Sequence, residues 1–122
     1  MKLRIILSAA FIGLAAAPAS AMTVAEFMAK VNGLKAKGPM ALFSSDIGVL
    51  KKEGIAAGNS IRADQDAAKA AGRPAPTCVP KGSKLSSDEL LAYFEKIPAA
   101  QAQRMTVKQG MVGLFRQKWP CK

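Results

Sequence analysis

The chain has 122 residues, 18 Lys and Arg against 8 Asp and Glu, a net charge of +10, and no histidine. Without an imidazole there is no Ser-His-Asp or Cys-His nucleophile system and no His-ligated metal. Half of the residues are hydrophobic, which suits one small globular domain.

Met1-Lys2-Leu3-Arg4 is a short positive start, and residues 5–17 are an uncharged apolar run. Such a run falls below the ~17–25 residues that span a bilayer. Pro18 then leads to Ala19-Ser20-Ala21, an A-x-A cleavage site. This three-part plan predicts a secretory signal peptide over residues 1–21, cleaved on export. Residues 22–122 are then a single exported helical domain without integral membrane association. Losing Lys2 and Arg4 leaves 16 basic against 8 acidic residues, a net charge of +8.

Thr23-Val24-Ala25-Glu26 is a capping box. It predicts a helix with Val24, Phe27, Met28, Val31 and Leu34 on one face. Gly38-Pro39 ends that helix, and Pro39 suits the first turn of a short segment with Met40, Leu42 and Phe43. Ser45 or Asp46 is expected to cap a longer helix running through Ile47, Leu50, Ile61 and Ala68 to Gly72. Gly54 and Gly58 lie inside it, four residues apart. Each costs about 1 kcal/mol against alanine, so close packing of a neighbouring helix is expected there. Asp64, Gln65 and Asp66 are expected on an exposed polar face.

Gly72-Arg73-Pro74-Ala75-Pro76 predicts a stiff, extended loop that carries the chain to Cys78. Ser86-Ser87-Asp88-Glu89 is a second capping box, opening a helix with Leu90, Leu91, Phe94 and Ile97 inward. Pro98 is expected to start the last helix, whose face includes Met105, Val112, Phe115 and Trp119, and Pro120 to stop it. No segment sustains the alternation of a strand. The fold class is therefore all-α, a small bundle of four to five helices.

The two cysteines, Cys78 and Cys121, enclose 42 residues. Export makes their oxidation possible, and a count of two allows one intramolecular pairing, so a Cys78–Cys121 disulfide is expected. Closing a loop of that size stabilises a domain by roughly 4 kcal/mol on the chain-entropy argument.

The inventory for chemistry is sparse. Two distant cysteines cannot build a structural zinc site, and no Cys-x-x-Cys is present for redox work. No serine starts a Ser-x-x-Lys pair, and Pro39-Met40 stands where a phosphate-binding loop after Gly33 and Gly38 requires Lys-Ser/Thr. Asp88 and Glu89 serve a helix start, where they balance the macrodipole. The expectation is a protein that is not an enzyme, with no cofactor and no metal. Its basic residues are scattered, without a run of five or interleaved aromatics, which predicts a solvated positive surface and no nucleic-acid partner.

Three features taken in order resemble the type VI amidase immunity (Tai) family and its relatives, the resistance-associated immunity proteins. These are Gly54-Ile55-Ala56-Ala57-Gly58 in the middle helix, Cys78-Val79-Pro80 followed by a helix ending in Ile97-Pro98, and a last helix closing on Trp119-Pro120-Cys121. The likeness spans residues 53–121. That family often carries a further cysteine just before its glycine segment, where this chain has Glu53. The resemblance implies a small periplasmic helical protein of the type VI secretion setting. It would protect its own cell by binding an injected or exported hydrolase, a peptidoglycan amidase, and occluding that enzyme's active-site groove. It also implies a possible homodimer.

The proline-rich loop with Arg73, Lys81 and Lys84 is the expected partner-binding surface. The alternative is a periplasmic stress or chaperone-like helical binding protein. Met28, Met40, Met105 and Met111 would then supply an adaptable apolar surface.

Overall fold

The computed structural model describes residues 21–122, and all but one residue of the expected leader lies outside them. Five α-helices follow one another: α1 (Val24–Lys37), α2 (Ser45–Ala70), α3 (Ser87–Glu95), α4 (Ala99–Ala102) and α5 (Val107–Lys118). A 3-10 helix, Gly38–Phe43, turns the corner between α1 and α2. No strand occurs among the described residues, so the domain is the all-α bundle that the sequence predicts.

Both predicted capping boxes form. The Thr23 hydroxyl accepts from Glu26 N–H and the Ser86 hydroxyl from Glu89 N–H, with the glutamates returning to the cap backbone. Helix α2 is capped one residue earlier than expected, by Ser44, whose Oγ accepts from Asp46 N–H at 3.3 Å. It ends at Ala70, and Gly72 then adopts φ 67°, a left-handed turn that an L side chain resists.

The last helix differs from expectation. Pro98 begins only the single turn of α4, and the chain restarts at Thr106. Thr106 and Gln109 make a third capping box that opens α5. This restart matters for packing. Met22 and Thr23 lie alongside Met105 and Thr106 in a short antiparallel bridge. Val24 N–H donates to the Met105 carbonyl at 2.8 Å, and Val107 N–H to the Met22 carbonyl at 2.9 Å. The start of α1 is thereby tied to the start of α5 without a covalent link.

The core runs through Val24, Phe27, Ile61, Phe94, Val107 and Met111. Phe27 and Phe94 meet edge to face at 5.6 Å, the arrangement their ring quadrupoles favour. At Gly110 a Cβ would stand 2.8 Å from Phe94 and 3.0 Å from Val24, so any larger residue at this point must displace one of those side chains. Helix α5 also packs on α2, which buries Ala57, Ile61 and Ala68.

Candidate functional site

The segment from Ala71 to Ser86 has no regular structure, yet it is fixed at four places. The first is Gln65. Far from lying on an exposed face, its side chain is 5% exposed and sits under the loop. Its Oε1 accepts from Thr77 Oγ1 at 2.9 Å and Val79 N–H at 2.8 Å, and its Nε2 donates to the Val79 carbonyl at 3.0 Å. One amide thus satisfies three polar groups that burial would otherwise strand. Asp64 and Asp66, its neighbours, do face outward.

The other three ties come from the C-terminal Cys121, from Arg116 of α5 and from Arg62 of α2. The expected disulfide is formed, with Cys78 and Cys121 Cα atoms 5.2 Å apart. Arg116 Nε donates to the Pro76 carbonyl at 2.8 Å, and Arg62 to the Ser83 carbonyl at 3.0 Å. Every buried side-chain polar atom among the described residues has a partner. Arg62 and Arg116, both exposed, each give a hydrogen bond to a loop carbonyl while keeping their charge.

Arg73, Lys81 and Lys84 are all exposed, and none makes a side-chain hydrogen bond or ion pair among the described residues. Arg73 follows the Gly72 turn at the exit from α2. Lys81 and Lys84 flank Gly82, a second left-handed position at φ 76°. The three cations thus sit on either side of a stretch in which Thr77 and Val79 are buried and Cys78 is half-buried.

Four of the carboxylates are held by lysines. Asp64 takes Lys108 at 2.6 Å, Asp46 takes Lys30 at 3.3 Å, and Glu95 takes Lys35 at 2.9 Å. Glu89 accepts from Lys118 at 2.7 and 2.9 Å, and this, with the Ser86 backbone N–H, holds its carboxyl below the usual value. A carboxyl shifted in that direction is a poor proton donor at neutral pH. No group of three or more His, Cys, Asp or Glu close enough to hold a metal occurs among the described residues. No described helix is long and apolar enough to cross a membrane.

A second surface escaped the sequence reading. Met40, Leu42 and Phe43 are 66, 80 and 84% exposed on the 3-10 corner. Beside them an apolar groove of about 680 Å³ opens between α1, α2 and α3 over the side of α5. Gly54 lines this groove and a Cβ there would meet nothing within 4 Å; at Gly58 it would meet only the tip of Met111, at 3.7 Å. The expected close approach of a neighbouring helix at these glycines is therefore not made within this fold. Ile55, next to Gly54, is likewise 64% exposed, which no local feature of the sequence signals.

Comparison with family models, with curated proteins and with solved structures finds no match to this chain.

Proposed function

We propose that this chain is an exported periplasmic immunity protein that binds a peptidoglycan-amidase toxin and occludes its substrate groove. The observation that carries this reading is the loop from Ala71 to Ser86. It is held by Gln65, Arg62, Arg116 and the disulfide, yet it turns Arg73, Lys81 and Lys84 to solvent without an ion pair among the described residues. A surface ordered before contact loses little conformational entropy on docking, which is what steric inhibition requires. The resemblance of residues 53–121 supplies the toxin class, and the leader supplies the compartment. The net charge of +8 after the leader is removed favours an acidic rim on the partner. A homodimer would present two such loops.

The test is affinity purification of the tagged protein from the periplasm of a close host. A single stoichiometric hydrolase whose activity falls on mixing is expected, and Arg73→Glu with Lys81→Glu and Lys84→Glu should weaken that complex. Recovery without any hydrolase, or inhibition indifferent to all three reversals, would sink the reading. A chaperone-like second reading is favoured by one observation, the exposure of Leu42 and Phe43. It expects suppression of aggregation of unrelated unfolded clients, lost in Leu42→Asp and Phe43→Asp.

A further inference from the structure

The groove beside the 3-10 corner is long enough to seat one face of a further helix. Along α2 its wall is a stripe that includes Ile47, Leu50, Gly54, Gly58 and Arg62, spaced three or four residues apart. From Ile47 to Arg62 that stripe covers fifteen helical steps, ~22 Å. Val31 and Leu34 of α1 face it from one side, Leu90 and Leu91 of α3 from the other, and Met111 and Phe115 of α5 form the floor. A cleft walled by three helices and floored by a fourth is the space that another helix fills in a bundle.

Two features narrow the occupant. Small residues four apart let a helix backbone come close, and here the room is empty at Gly54 and reaches only the Met111 tip at Gly58. The charged residues lining the groove are Lys35, Lys51 and Arg62, all cationic. Lys35 is paired with Glu95, Arg62 is held on the Ser83 carbonyl, and Lys51 is exposed without a partner among the described residues. The groove is thus apolar along its length and positive at its lip.

We infer that this groove is a docking site for an amphipathic helix of a partner protein, about four turns long, with acidic residues flanking its apolar face. The chain's own leader does not match, because its charges, Lys2 and Arg4, have the sign of the lip. A second copy matches poorly for a related reason: the exposed 3-10 segment, Gly38–Phe43, carries no charge to answer the cations. The site lies apart from Arg73 and Lys81 and does not depend on the toxin reading.

The experiment uses a fluorescein-labelled 16-residue helical peptide with leucines on one face and glutamates on the flanks, followed by anisotropy with the purified protein. A peptide with the same leucines and lysine flanks is the control. The acidic peptide should bind at least ~10-fold more tightly than the control, and less so in high salt. Gly54→Leu fills open space in a better helix former, so it should fold at least as stably while weakening the acidic peptide by ~10-fold or more. Lys51→Glu should weaken it several-fold, and Arg73→Glu with Lys81→Glu should leave it unchanged. Equal affinity for both peptides, or indifference to Gly54→Leu, would overturn the inference. Binding that emerges only after residues 1–21 are removed would give the groove to the leader. Competition by self-association would give it to a second copy.

Discussion

The two ends of α2 lead opposite lives. From Ala57 onward it buries Ala57, Ile61, Gln65 and Ala68 against α5 and the loop, and the disulfide closes over the same region. Its stretch before Ala57, with the 3-10 corner, buries no residue fully and leaves Val49 and Ile55 exposed beside Met40, Leu42 and Phe43. Stability is concentrated at one end and unsatisfied apolar surface at the other. Local opening free energies follow buried contacts, so the corner should exchange its amides first and the stapled end last. Such a division suits a protein that binds: a rigid base holds one surface fixed while another waits for a partner.

The largest way to break that contrast is to cut the staple. Replacing Cys78 and Cys121 together with serine should cost roughly 4 kcal/mol, read as a lower urea midpoint. Hydrogen exchange should speed up through residues 71–86, while amides of the corner change little. If the corner loosened as much as the loop, the two ends would be one cooperative unit.

Gln65 tests the same end without touching a covalent bond. Gln65→Leu conserves much of the volume but leaves Thr77 Oγ1 and the Val79 N–H and carbonyl, all bonded to the amide, without it. Stranding two or three buried polar groups should cost about 3 kcal/mol. Gln65→Glu keeps an acceptor for the two donors but loses the bond to the Val79 carbonyl and buries a charge. Its deficit should shrink as pH falls and the carboxyl protonates. A loss below about 1 kcal/mol in Gln65→Leu would mean that water reaches the loop's underside.

Gln65 also marks where the sequence stops being legible. The helices announced themselves because their start signals are local: Thr23 with Glu26 and Ser86 with Glu89 are three residues apart and need no tertiary context. The third box, Thr106 with Gln109, was equally local but hidden behind Pro98, which offers a helix start of its own. The face of α5 shifted in consequence. Val107 and Leu114 are buried, whereas Val112 is only half-buried. A glutamine between two aspartates carries no local sign of burial, because its three partners lie 12 to 14 residues away. The disulfide was legible from count and compartment alone. The basic loop was legible as a loop, but its rigidity resides in Gln65, Arg62 and Arg116, which belong to other elements.

The glycines sharpen the comparison at single-atom scale. Gly110→Ala forces a methyl to within 2.8 Å of Phe94 and 3.0 Å of Val24, and overpacking there should cost ~1–3 kcal/mol. Gly54→Ala meets no atom within 4 Å and should stabilise the protein by about 1 kcal/mol. The two substitutions are chemically identical and lie on helices that pack together, so opposite signs in thermal unfolding would isolate the effect of the space around them. Equal signs would show that the groove closes in solution.

The smallest expected effect concerns Glu89, at the start of α3 and therefore at the stapled end. Its carboxylate accepts two contacts from Lys118 and one from Ser86 N–H, which lower its pKa in the folded state from the ordinary 4.5. A group depressed on folding favours the native state while it is ionised. That contribution is complete above the unfolded value and disappears as pH falls through the folded one. Glu89→Gln should therefore melt slightly below the parent protein near neutral pH, and the gap should close as the solution is acidified from just above pH 4.5 downward. Because the pair is exposed, added salt should narrow the gap as well. A gap unchanged by acid and salt would assign the loss to the capping geometry, since glutamine returns a weaker acceptor to the Ser86 N–H whatever the charge of Lys118.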